Sequence, residues 1–108
     1  FERDGADIYL EVPVTITDAI LGCKKEIPTL YGNIILEIKP GTQNYTKLKI
    51  KGKGIKLPNK IGKGDMYAVI NIITPTKLDR KQKALLQDLA KTDLEDASEF
   101  KNFKKYMK

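Results

Sequence analysis

Over residues 7–17, apolar and polar positions alternate. Ile8, Leu10, Val12, Val14 and Ile16 fall on one face, and Tyr9, Glu11, Pro13 and Thr15 on the other. A period of two predicts a half-buried β-strand. Pro13 has no amide hydrogen to give to a ladder, which places the expected strand at a sheet edge. Asp18-Ala19-Ile20-Leu21 predicts one helical turn, stopped by Gly22, a residue that tolerates positive φ. Strands are next expected over residues 23–30 and 33–39, flanking a turn at Tyr31-Gly32, and Pro40-Gly41 turns the chain again. Leu48 and Ile50 alternate with Lys47, Lys49 and Lys51 in a fourth strand, and residues 66–73 are apolar enough for a central one. These five strands and one short helical turn predict a mainly β chain, a small β-sandwich or barrel-like domain.

Near Pro75 the pattern changes to Lys, Leu, Asp, Gln and Ala, which favour helix. The sequence therefore divides into a β-domain over residues 1–75 and a helical tail over 76–108. Asp79 is placed to cap a helix whose third residue, Gln82, reaches back to it, and Leu85, Leu86 and Leu89 form its apolar stripe. A second helix is expected after Asp96, with Phe100, Phe103 and Met107 on one stripe, Tyr106 beside them, and Lys101, Lys104 and Lys105 outside it. Such a stripe must pack on something, either the chain's own sheet or a second copy.

Composition removes most chemistry. The 108 residues include no histidine, one cysteine (Cys23) and one serine (Ser98), so Ser-His-Asp and Cys-His catalysis are excluded, as are an ordinary zinc site and an internal disulfide. A lone thiol fits a reducing cytoplasm. No apolar run approaches the ~20 residues needed to span a bilayer. The charged opening Phe1-Glu2-Arg3-Asp4 is unlike a signal peptide and lacks an initiating Met, so the chain is expected to be a piece of a longer protein.

With 20 Lys+Arg against 14 Asp+Glu, the net charge is +6. Lys47, Lys49, Lys51, Lys53, Lys56, Lys60 and Lys63 crowd into a segment that also holds Gly52, Gly54, Gly62 and Gly64. A phosphate backbone would be attracted there, with Tyr45 and Tyr67 as the nearby rings, yet lysines on an edge strand also serve simply to block strand pairing. No arginine lies in the segment, and neither glycine-rich nucleotide fingerprint can be matched to it. Glu95, Asp96 and Glu99, and Asp4 with Asp7, are carboxylate clusters better read as a helix start and a loop than as an acid/base pair. Lys24 and Lys25 beside Cys23 could lower its pKa, but no base partner accompanies it.

The runs Phe1-Glu2-Arg3-Asp4-Gly5-Ala6-Asp7-Ile8-Tyr9, Ala19-Ile20-Leu21-Gly22, Ile27-Pro28-Thr29-Leu30-Tyr31-Gly32, Pro40-Gly41-Thr42-Gln43, Lys51-Gly52-Lys53-Gly54, Gly64-Asp65-Met66 and Thr74-Pro75, in that order, closely resemble the second C-terminal β-domain of the DnaJ co-chaperones. The resemblance extends to about Leu89, and the Phe100/Phe103 stripe is similar to the helical segment through which DnaJ chains dimerise. It departs from the family at Gln43-Asn44-Tyr45-Thr46, where a Gly is usual, and at Tyr31, which replaces an acidic turn residue.

The resemblance implies a non-enzymatic protein without cofactor or metal, engaged in protein folding and the stress response. It would bind unfolded polypeptide clients, form a homodimer, and deliver clients to a DnaK-type ATPase chaperone through parts of a parent chain. This chain itself carries no His-Pro-Asp motif and no zinc module. By analogy with the preceding β-domain of such proteins, the client groove is expected near Leu10, Val12, Ile27 and Leu30, and dimerisation at Phe100, Phe103, Tyr106 and Met107. Two other roles stay open: nucleic-acid binding through the lysine segment, and a pure spacer and dimer module.

Overall fold

The computed structural model describes residues 1–58 and 62–107. The chain divides into two compact units, Phe1–Thr74 and Pro75–Lys108. The first unit holds β1 (Glu2–Asp4), β2 (Asp7–Thr15), α1 (Ile16–Leu21), β3 (Cys23–Thr29), β4 (Gly32–Ile38), β5 (Lys47–Ile50) and β6 (Met66–Ile73). They form a four-stranded sheet in the order β1-β2-β6-β5 and a two-stranded sheet, β3-β4. β2 and β6 are parallel, in register from Ile8 with Met66 to Thr15 with Ile73, and the other pairings are antiparallel.

One buried cluster joins both sheets: Ile8, Val12 and Val14 of β2, Met66, Ala68 and Ile70 of β6, Ile27 of β3, Leu36 and Ile38 of β4, and Ala19 of α1. The alternation in β2 therefore marks its core face, and the sandwich half of the fold expectation holds. The described strands do not close into a barrel.

Pro13 corrects the expectation of a simple edge strand. β2 lies between β1 and β6, but β1 covers only Asp7 to Tyr9. The Ile8 amide donates to the Asp65 carbonyl on the β6 side. Bonding direction alternates along a strand, so Glu11, Pro13 and Thr15 direct their main-chain groups away from β6. Pro13 thus lacks a hydrogen at a position with no ladder partner, and its ring is exposed.

The strand also ends sooner than its periodicity suggests. Ile16 and Thr17 belong to α1, because Thr15 adopts an extended N-cap geometry and its hydroxyl accepts the Asp18 amide at 3.1 Å. At the other end of α1, the Gly41 and Thr42 amides donate to the Ala19 carbonyl at 2.9 and 3.0 Å. A Cβ on Gly22, at φ +81°, would sit 2.8 Å from the Pro40 ring, so only glycine fits there. β1 has no signal in the sequence, since its three residues are all exposed and carry no apolar alternation.

In the second unit, α2 (Arg80–Ala90) opens with the expected reciprocal cap: the Gln82 amide donates to the Asp79 carboxylate at 2.7 Å, and the Asp79 amide to the Gln82 side chain at 3.0 Å. α3 (Ser98–Lys104) is shorter than its stripe. Tyr106 and Met107 lie past its end, in turns where their amides donate to Phe103 and Lys104 carbonyls.

Replacing Thr15 by Ala is expected to cost about 1 kcal/mol, read as a lower urea midpoint at unchanged slope, while Thr15→Ser retains the cap and stays near the original midpoint.

Candidate functional site

The glycine–lysine segment is first of all a main-chain junction. The Gly54 amide donates to the Gly64 carbonyl at 2.8 Å, the Gly64 amide to Ile55 at 3.0 Å, and the Ile55 amide to Ala6 at 2.7 Å. A Cβ on either Gly54 or Gly64 would collide with the Ala6 carbonyl. Beside this crossing, the Asp65 carboxylate accepts the Gly52 amide at 2.9 Å and lies 3.4 Å from Lys49 Nζ, while the Asp65 amide donates to the Asp7 carboxylate at 2.7 Å. The Gly52 amide, helped by Lys49 and Lys51 and opposed by partial burial, holds the Asp65 carboxyl below its usual range.

The β3–β4 hairpin closes onto the same loop. Leu30 and Tyr31 form its two-residue turn, and the Tyr31 hydroxyl donates to the Gly54 carbonyl at 2.6 Å. Lys63 Nζ stands 3.8 Å from the Tyr31 ring centroid and Lys53 Nζ 5.8 Å. Cation–π contact and a hydroxyl hydrogen bond thus hold this turn residue against the glycine–lysine loop. The sequence alone gives no sign of the long-range partners of Tyr31, Asp7 and Asp65. In the sequence Tyr31 is visible as a turn residue that departs from the family resemblance, and Asp65 as part of the run Gly64-Asp65-Met66.

The lysines read as a single patch are distributed. Lys47 lies over the Tyr9 ring at 5.6 Å, Lys49 pairs with Asp65, Lys53 and Lys63 flank Tyr31, and Lys56 faces Lys63 in an isolated β-bridge. Lys60 lies outside the described residues. Of the two rings considered as platforms, Tyr67 stacks on Tyr9 at 5.1 Å, and Tyr45 is exposed in a left-handed conformation at φ +64°.

The four residues expected to line a groove are placed differently. Val12 and Ile27 are 2% exposed and belong to the core. Leu10 is half-buried at the core's margin, and Leu30 is exposed at the β3–β4 turn. What β2 offers outward is main chain: the Glu11 amide and carbonyl and the Pro13 carbonyl, beyond the reach of β1. In the tail, Phe100, Phe103, Tyr106 and Met107 are 42, 67, 85 and 68% exposed, and Leu85 and Leu89 are exposed as well.

Other candidates resolve into structure. Burial pushes the Cys23 thiol up, Asp18 adds to this, and Lys25 opposes it without prevailing, which agrees with reading Cys23 as a packing residue. Glu95 pairs with Lys104 at 3.6 Å, and Asp7 holds the Asp65 amide. Among the described residues no group of three His, Cys, Asp or Glu is placed to hold a metal, and no helix is long and apolar enough to cross a membrane.

The depressed Asp65 pKa sets a sign for pH dependence. Its contribution is present above the unfolded carboxyl value of about 4 and is lost as pH falls through the lower folded value. Asp65→Asn is expected to lower stability at neutral pH and to flatten the acid limb of a stability-against-pH curve from urea melts.

Comparison with known proteins supplies the family. The DnaJ C terminal domain matches residues 1–75. The Chaperone protein DnaJ of Geobacillus sp. (strain WCH70) is 49% identical over 88 residues, covering 82% of this chain and 23% of the relative. The Chaperone protein DnaJ of Bacillus velezensis is 43% identical over 107 residues, 97% of this chain and 28% of the relative. That of Geobacillus thermodenitrificans is 42% identical over 111 aligned positions, 100% of this chain and 29% of the relative. This chain spans between a fifth and a third of the length of these relatives. With a two-sheet domain built on the motifs of that family and a family match covering that whole domain, the chain belongs to the DnaJ chaperones, as part of their C-terminal region.

Proposed function

We propose that this chain is the C-terminal part of a DnaJ-type co-chaperone that holds unfolded polypeptides, pairs two protomers through its tail, and serves delivery of clients to a DnaK-type ATPase chaperone in the cytoplasm, with no catalysis of its own. The observation that carries the reading is the stretch of β2 beyond Tyr9, which no described strand pairs on its outer side. An extended client can add there as a strand, using main-chain hydrogen bonds that demand little of its sequence. Half-buried Leu10 lies on the same strand at the margin of the core that holds Val12 and Ile27, and supports apolar contact there.

With Pro13 lacking a donor, each such contact is short and weak. Two copies raise the effective concentration for a long client, which gives the exposed apolar tail a purpose. Burying each of Phe100, Phe103 and Met107 against a partner contributes about 1.5–3 kcal/mol.

An NMR titration of the chain with an unstructured, apolar-rich peptide is expected to shift the amides of Tyr9, Leu10 and Glu11. An unmoved β2 would instead make this domain a spacer, with capture elsewhere in the parent protein. Phe100→Ala with Phe103→Ala is expected to halve the solution mass measured by light scattering. A mass unchanged by the double substitution would remove these residues from the dimer contact.

A further inference from the structure

The four-stranded sheet has a second open margin, at β5, whose chemistry differs from that of β2 and which the client-holding role does not use. The Ile70 amide donates to the Thr46 carbonyl at 2.9 Å. In an antiparallel ladder bonded positions recur every second residue, so Leu48 and Ile50 bond toward β6, and Lys47 and Lys49 direct their amides and carbonyls outward. Among the described residues no strand pairs with β5 on that side. The same alternation sets the side chains of Lys47 and Lys49 on the sheet face opposite the core, while Leu48 and Ile50 are half-buried, and exposed Lys51, in the turn that follows, acts on the Asp65 carboxyl beside Lys49.

We propose that the β5 edge is a docking site for an extended, acid-rich peptide segment of a partner protein, bound as an added strand with carboxylates at alternate positions opposite Lys47, Lys49 and Lys51. Charge and main chain agree on this occupant. A segment with Glu or Asp at every second position presents them at the repeat of the lysines, where opposite charges across a strand pair attract. A second β5 is repelled, since it would set lysine against lysine. The lysines therefore act as a filter that rejects the chain's own edge and admits an acidic one.

Nucleic acid fits less well. Among the described residues the stacked rings on this face, Tyr9 and Tyr67, stack on each other, with Lys47 over Tyr9. The segment has no arginine for forked contacts, and a phosphodiester chain leaves the outward amides of Lys47 and Lys49 without a matching backbone.

The test is an amide-resolved NMR titration of the 108-residue chain with acetyl-Glu-Val-Glu-Val-Glu-amide, its Lys-for-Glu counterpart and a short oligothymidylate. The acidic peptide is expected to shift residues 47–51 and slow hydrogen exchange at Lys47 and Lys49, leaving the outer side of β2 unmoved, and the lysine peptide to shift neither. Combined Lys47→Gln, Lys49→Gln and Lys51→Gln is expected to weaken binding at least about fivefold, as three cross-strand charge pairs are lost. Equal binding of the lysine peptide, an acidic peptide that leaves residues 47–51 unmoved, or an oligothymidylate that shifts them at lower concentration overturns the proposal. The peptide comparison uses the unaltered chain, so it decides the matter even if the triple variant fails to fold. Because the two open margins lie at different strands, failure here leaves the client reading at β2 untouched.

Discussion

Three stretches of main chain cross at Ala6, Gly54 and Gly64 so closely that a single added methyl would strike a carbonyl. That crossing ties the β1–β2 turn, the glycine–lysine loop and the start of β6 into one hydrogen-bonded unit. It also delivers Asp65 to the one place where its amide meets Asp7 and its carboxylate meets Gly52 and Lys49. The parallel register of β2 and β6 starts at this point, and the core's largest buried residues lie along those two strands and on β4. Glycines that suggest a phosphate cradle when read along the chain are used here to let backbone approach backbone.

The sequence runs that resemble the DnaJ pattern prove to be neighbours in space. Ala19-Ile20-Leu21-Gly22 meets Pro40-Gly41-Thr42 where turn amides bond the last carbonyls of α1. Gly5-Ala6-Asp7, Gly52-Lys53-Gly54 and Gly64-Asp65 meet at the crossing, and the β3–β4 turn reaches the same loop through Tyr31. The motifs thus describe two junctions that fix one sandwich.

Much of this was legible. Alternation located the strands at residues 7–17 and 47–51, because a sheet with one buried face imposes it, a turn signal placed the hairpin and an apolar run the central strand, and the Asp79/Gln82 cap was readable because it is local. Other features depend on distant partners. Thr15 continues the strand alternation yet acts as a helix cap, since its hydroxyl can satisfy an amide three residues on. Val12 and Ile27 have the residue type of a groove and the position of a core, and only the facing sheet decides between them. Tyr31 and Asp65 act on residues 23 and 13 positions away, a coupling that no local pattern encodes.

The parallel pairing of β2 with β6 carries a consequence for the order of events in synthesis. Ile8 lies beside Met66, a residue that leaves the ribosome 58 positions later. Until β6 arrives, β2 holds Ile8, Val12 and Val14 without the strand that shields them, while the β3–β4 hairpin, whose contacts are local, can already form. A chain of a chaperone family therefore passes through a stage in which its own central strand displays an apolar, unpaired segment, the kind of surface that leaves a partly made domain open to aggregation until β6 is synthesised.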